Sequence, residues 1–180
     1  MRKKLVVTKA ESELSKWNGK KETNATMYPT LVDYWKSAGY SWINANNIKQ
    51  FATQYAWSSA FISYVMQSQY SEFPKAPTHA KYTLWAKKNR QQGATKFIAY
   101  KPNEYKPEPR DIIVQRRGSF TGNLDNLYES ATTHGDIVVS NDGNKIVAIG
   151  GNLNDTITKI SYKAVNGYLN TANHIAVIKV

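Results

Sequence analysis

Apolar positions recur at helical spacing in the first half of the chain and alternate in the second. Ala10 to Trp17 reads as a helix closed by Asn18-Gly19. Thr30 to Ala38 reads as another, closed by Gly39, with Leu31, Tyr34 and Trp35 on one stripe at i, i+3 and i+4. An Asn-rich connection then leads to Trp57–Met66. There Trp57, Phe61, Ile62 and Val65 recur at helical spacing in a continuous apolar segment, which predicts a buried central helix. A further helix is predicted over Thr78 to Gln91.

The prolines Pro102, Pro107 and Pro109 make Lys101–Pro109 a connector. Beyond it the period falls to two. Asp111–Arg116, Gly135–Ser140, Lys145–Ile149, Thr156–Tyr162 and His174–Val180 are predicted strands, with some helix near Leu124 to Ser130. Asn141-Asp-Gly-Asn144 is a hairpin turn. Helices followed by an antiparallel meander predict an α+β fold. The expectation is a single domain over residues 1–180, its helical part (about 8–92) packed on its sheet part (about 110–180).

Composition changes this picture in three ways. Lys+Arg outnumber Asp+Glu by 24 to 13, a net charge of +11. Ten of those cations lie between Lys81 and Arg117 against three carboxylates. Such an excess serves solubility or an anionic polymer: nucleic acid, lipid headgroups or the bacterial envelope. No cysteine is present, which excludes disulfides, thiolate catalysis and cysteine–zinc sites. The opening Met1-Arg-Lys-Lys-Leu-Val-Val-Thr8 carries too short an apolar run for a conventional signal peptide, and no run reaches membrane-spanning length.

Two segments bear chemistry. Ser58 opens the central helix, where a serine is either a helix cap or a nucleophile beside free backbone N–H groups. His134 opens a strand and shares a face with Asp136 by the period of two. The hairpin arithmetic also sets His134 within a pair or two of Asn152, so Asn152 and Asp136 are both candidate orienting groups for one candidate base. His79 starts a helix and is a candidate cleft residue, as is Trp57. His174 reads as structural. Three well-separated histidines predict no metal site, and no phosphate-binding loop occurs, so no cofactor is expected.

Trp57-Ser-Ser-Ala-Phe-Ile-Ser, Pro109-Arg-Asp-Ile-Ile-Val, His134-Gly-Asp-Ile-Val-Val and Ile149-Gly-Gly-Asn-Leu-Asn-Asp-Thr follow one another in this order. Together with Leu31-Val-Asp-Tyr-Trp35 and Pro77-Thr-His-Ala-Lys-Tyr82 they resemble the bacterial family catalogued as domain of unknown function 2272. That family is similar to the CHAP and NlpC-type cell-wall amidases and peptidases, so the resemblance implies a papain-like fold over roughly residues 10–162. It places Ser58 at the nucleophilic cysteine of the wider superfamily, His134 at its base and Asn152 at its third polar position. Arg110 stands where the superfamily has Gly.

The function these expectations imply is a peptidoglycan hydrolase cleaving an amide bond, either within the stem peptide or between sugar and peptide. Lys87, Lys88, Arg90, Arg116 and Arg117 would contact the anionic polymer. The alternatives are a non-catalytic envelope-binding module on the same fold and a cysteine hydrolase inactivated by serine. A lipid esterase is compatible with a Ser–His pair. A nucleic-acid binder rests on charge alone and is not expected, because no recognition motif accompanies the charge. The site of action would be the periplasm or cell wall, reached by phage or contact-dependent delivery, with an immunity or delivery protein as a possible partner.

Overall fold

The structure, a computed structural model, describes residues 2–180. It is α+β. Five helices come first: α1 (Arg2–Trp17), α2 (Tyr28–Ser37), α3 (Ile48–Gln54), α4 (Ser58–Gln67) and α5 (His79–Gln91), with a 3-10 turn at Ala25–Met27. Seven strands follow: β1 (Ile98–Tyr100), β2 (Ile112–Arg116), β3 (Thr133–Asn141), β4 (Lys145–Leu153), β5 (Thr156–Val165), β6 (Tyr168–Leu169) and β7 (His174–Lys179). They form one sheet in the order β1-β7-β2-β3-β4-β5-β6.

Four of the helices and five of the strands fall where the residue pattern predicts them. The differences have local causes. α1 begins eight residues before the predicted Ala10. α3 arises inside the Asn-rich connection, where Ile48, Phe51 and Ala52 supply a two-turn apolar stripe. The helix predicted near Leu124 to Ser130 is a series of turns. There Asn126 Oδ1 accepts the Asn123 N–H (2.7 Å) and Asn123 Oδ1 the Asp125 N–H (2.8 Å), closing side-chain turns. Nor does β7 extend the meander: it returns between β1 and β2, pairing Ala99 with Ile178 and Ile113 with Val177. Its run of five buried residues from His174 to Ile178 suits a strand covered on both faces.

The chain divides into two compact units. One comprises residues 1–77 and 149–159, the other residues 78–148 and 160–180. The boundary therefore passes through β4 and β5.

The first unit is organised by aromatic rings around α4. Trp17 stacks on Trp57 (4.6 Å between ring centres), and Tyr34 packs against Trp57, Phe61 and Tyr64. The polar tips of Trp17, Tyr34 and Trp57 all have partners. The Trp57 indole N–H donates to Glu22 (2.7 Å), the Trp17 N–H to Tyr34 Oη (3.0 Å), and Tyr34 Oη to Glu13 (2.6 Å). Lys9 completes the chain by donating to the other Glu13 oxygen (2.9 Å) and to Tyr64 (3.0 Å). Gly151 of β4 lies directly over α4: a Cβ there would stand 2.8 Å from Phe61 Cβ and 3.0 Å from Trp57 Cζ3. The segment Gly150-Gly151-Asn152 is part of strand β4.

The second unit has an aliphatic core of Ile113, Val138, Ile146, Ala148, Ala164, Leu169 and Val177 on one sheet face. α5 packs on β1, β3 and β7. Asp111 sits just before β2 and accepts the backbone N–H groups of Glu108 (2.8 Å) and Val180 (3.0 Å), fastening the proline-rich connector and the last residue to the sheet. Burial pushes its carboxyl up to about 6.

Replacing Tyr34 by Phe removes one hydroxyl that serves two buried groups, Trp17 Nε1 and Glu13. Urea unfolding of Tyr34→Phe should therefore show a loss of about 2–4 kcal/mol, against under about 1 kcal/mol if the chain of bonds is solvent-relaxed.

Candidate active site

The second unit holds a buried polar cluster at the start of β3. His134 and Asp136 are both 1% exposed. Strand geometry puts residues i and i+2 on one face, and His134 Nε2 lies 2.8 Å from Asp136 Oδ1. The other carboxylate oxygen, Oδ2, accepts from Tyr162 Oη of β5 (2.7 Å). Gln115 of β2 in turn donates to Tyr162 Oη (3.3 Å). A carboxylate can only accept, so Nε2 of the neutral ring carries its proton and Nδ1 keeps the lone pair. The Arg117 guanidinium meets Nδ1 at 3.4 Å.

The register extends this cluster sideways. Gln115 is paired with His134 on one side and, across a bulge, with His174 on the other, so the three stand in a row over β3, β2 and β7. His174 packs edge-on against Tyr162 (4.7 Å), and its Nδ1 is hydrogen-bonded to Thr171 Oγ1. Its Nε2 is buried without a hydrogen-bond partner. Burial holds the ring at about 4, against the pull of Asp136.

Behind β3, His79 and Tyr82 of α5 are joined through Nδ1 and Oη at 2.6 Å. The His79 ring lies 5.2 Å from that of His134. Burial holds His79 well below 6.5, with the charges of His134 and Arg117 acting the same way. Burial, then the Asp136 charge, holds the Tyr82 phenol well above its usual range. Burial likewise raises Tyr162, again with Asp136 second. Both phenols keep their protons near neutrality. Gly135 makes the packing possible, since a Cβ there would fall 2.1 Å from Tyr82 Oη and 2.9 Å from His79 Nδ1.

This arrangement suits proton transfer. One imidazole is aimed by a carboxylate, and a tyrosine holds that carboxylate in place. Among the described residues no group of three or more His, Asp or Glu side chains is placed to hold a metal ion.

Ser58 belongs to the first unit. It is 4% exposed and is the first residue of α4. The cap position falls on Trp57, whose side chain makes no capping bond, so Ser58 is not the helix cap. The first helical bond of α4 runs from the Phe61 N–H to the Trp57 carbonyl (3.0 Å), so the N–H groups of Ser58, Ser59 and Ala60 precede the helical ladder. Its neighbours have structural work: Ser59 and Ser63 Oγ both donate to the Ala76 carbonyl (2.8 and 3.2 Å). Asn152 also lies in the first unit, half-buried on β4 with a left-handed φ of +54°. Trp57 is wholly buried in the aromatic stack.

The basic residues divide by use. Lys87 donates to the Leu124 and Asp125 carbonyls (2.9 and 2.7 Å). Arg90 pairs with Glu104 (2.5 Å) and lies over the Tyr100 ring (4.5 Å). Arg116 donates to the Thr121 carbonyl (2.9 Å) and to that of Ala172. Lys88 is exposed, and Arg117 combines exposure with its contact to His134. Sequence reasoning missed Tyr162, Gln115 and Tyr82, and read His174 as a terminal structural residue. Only the alternation along β2 and β5 hints at the first two.

Residues 6–176 match the family described as "Uncharacterized protein conserved in bacteria (DUF2272)". The chain belongs to this family. No curated protein and no solved structure matches it. In this DUF2272 member the matched region takes in both units and every residue of the cluster above. No described helix is long and apolar enough to cross a membrane.

Two outcomes follow for this family member. Gly135→Ala should cost about 1–3 kcal/mol, because the new methyl displaces Tyr82. Gly135→Ala combined with Tyr82→Phe should be more stable than the two losses added, measured as the coupling in a double-mutant cycle. The second concerns His174. Its unfolded value is near 6.5 and its folded value about 4, so between these pH values the unfolded chain takes up a proton that the folded chain refuses. That contribution is full above 6.5 and is lost as pH falls through 4, on the order of 3 kcal/mol. Asp111, raised from 3.8 to about 6, acts in the opposite sense: its contribution is lost as pH rises through 6. In denaturant unfolding, lowering the pH from 7 to 4.5 should thus raise the stability of His174→Gln relative to wild type and lower that of Asp111→Asn.

Proposed function

We propose that this chain hydrolyses an amide bond of peptidoglycan, within the stem peptide or between sugar and peptide, on a papain-like fold. The observation that carries the reading is the buried His134–Asp136–Tyr162 network. It aims one imidazole and leaves its Nδ1 with a lone pair for proton abstraction. The net charge of +11, with Lys88 and Arg117 exposed, favours an anionic polymer as substrate.

In this reading Ser58 is the nucleophile. Its hydroxyl oxygen attacks the amide carbonyl while its proton passes to His134 Nδ1. The N–H groups opening α4 stabilise the oxyanion. The C–N bond then breaks, His134 returns the proton to the departing amine, and the acyl group remains on Ser58 until water repeats the sequence. Asp136 orients the ring throughout, and Asn152 is the second candidate for that role. Arg117 must leave Nδ1 when the nucleophile or substrate arrives, and its exposure permits this.

The contact between Arg117 and Nδ1 also favours a second reading, a wall-binding module without turnover. Digestion of purified sacculi, with products identified by mass spectrometry, separates the two. Ser58→Ala and His134→Ala should lower muropeptide release by about 10³-fold or more, and Asp136→Asn by about 10²–10⁴-fold. Release only from Ser58→Cys would mark a cysteine site inactivated by serine. Sacculus binding with no release from any form would leave the binding module.

A further inference from the structure

The first unit carries an exposed aromatic surface that its packing does not explain. Of the large apolar side chains that face solvent, Trp42 (56% exposed) and Tyr55 (48%) both lean on one residue, Phe51. Trp42 meets Phe51 edge-on at 5.2 Å, and Tyr55 meets it at 4.6 Å. Tyr40 closes the group, 6.1 Å from Trp42 and 5.6 Å from Phe51. Trp35 anchors it from below, packing on Phe51 at 4.8 Å and on Tyr40 at 5.3 Å.

The loop that presents Trp42 is locked. Asn44 and Asn47 both donate their side-chain amides to the Trp42 carbonyl (3.1 and 3.3 Å). Asn47 Oδ1 accepts the Asn44 N–H, and Asn44 Oδ1 accepts the Asn46 N–H, both at 2.9 Å. A tryptophan held open to water by a fixed loop is preorganised for contact.

The same loop walls a cavity. Asn44 and Ala45 line it together with Tyr28, Pro29, Val32, Asp33 and Lys36, and its volume is about 490 Å³. That lies within the range of about 300–1,000 Å³ usual for small-molecule clefts. Val32, Pro29 and the Tyr28 ring supply apolar wall. Asp33 can only accept hydrogen bonds, Lys36 only donates, and the Asn44 amide has both kinds of atom.

We propose that this cavity and the aromatic surface beside it bind a carbohydrate chain. A pyranose has an apolar C–H face, which stacks on indole and phenol rings, and a rim of hydroxyls that need donors and acceptors together. The surface and cavity offer both, on the locked loop and on α2. A lipid surface fits less well, because the Asp33 carboxylate would face anionic headgroups and the loop beside Trp42 bears amides rather than aliphatic chains. The site uses none of the residues assigned to hydrolysis, so it stands or falls independently of that activity.

The test uses full-length Ser58→Ala protein, in which turnover cannot complicate binding. Chitotetraose and cellotetraose are titrated in turn, followed by the Trp42 indole N–H resonance and by calorimetry. At least one should bind saturably with the Trp42 signal shifted. Trp42→Ala and Asp33→Asn should each weaken that binding about tenfold or more while leaving the thermal midpoint unchanged. Absence of binding to both sugars and to sacculi would overturn the proposal, as would binding undiminished in Trp42→Ala. Binding to phosphatidylglycerol vesicles that is lost in Trp42→Ala, without sugar binding, would reassign the surface to lipid.

Discussion

A carboxylate taken out of water costs several kcal/mol unless each oxygen finds a donor, and Asp136 is 1% exposed. Its two oxygens are met by His134 Nε2 and Tyr162 Oη, one from its own strand and one from β5. Removing either donor leaves a buried charge short of a partner, so both donors are held in place by the cost of losing them. The imidazole tautomer follows from this, and so does the direction of its remaining lone pair. Gly135, between the two strand residues, lets α5 come close enough for Tyr82 and His79 to seal the back of the cluster. The chemistry of the site is thus a consequence of desolvation.

Elements whose apolar period stood alone were readable from the chain. The central helix from Trp57 and the paired β3 and β4 needed no outside information, because one hydrophobic stripe or one alternation dictated each. The pairing of His134 with Asp136 was readable for the same reason. What escaped were features decided by partners far away in the chain. β7 sits between β1 and β2 because it is covered on both faces, and a continuous apolar run does not say beside which strand it lies. Tyr162 joins Asp136 across 26 residues through sheet register. α3 was obscured by the asparagines of the preceding loop, whose side chains bind their own backbone.

The cationic stretch shows how formal charge and available charge differ. Lys87, Arg90 and Arg116 spend their donors on carbonyls, on Glu104 or on an aromatic face within the second unit. They tie down loops that have little secondary structure of their own. Two serines of α4 are likewise engaged: Ser59 and Ser63 hold the chain at Ala76.

The first unit is assembled from two stretches of chain, residues 1–77 and 149–159. The later stretch is integral to it. The Asp155 carbonyl accepts from the Glu22 N–H (2.9 Å), Lys21 reaches the Asn154 carbonyl (2.5 Å), and Gly151 covers the start of α4. On a ribosome adding about 5–20 residues per second, the helices would wait roughly 4–15 s for these residues to appear. During that interval the faces of Trp57 and Phe61 that Gly151 will cover remain open. This protein is therefore exposed to chaperones and to misassociation at α4 for longer than one built from a continuous N-terminal half.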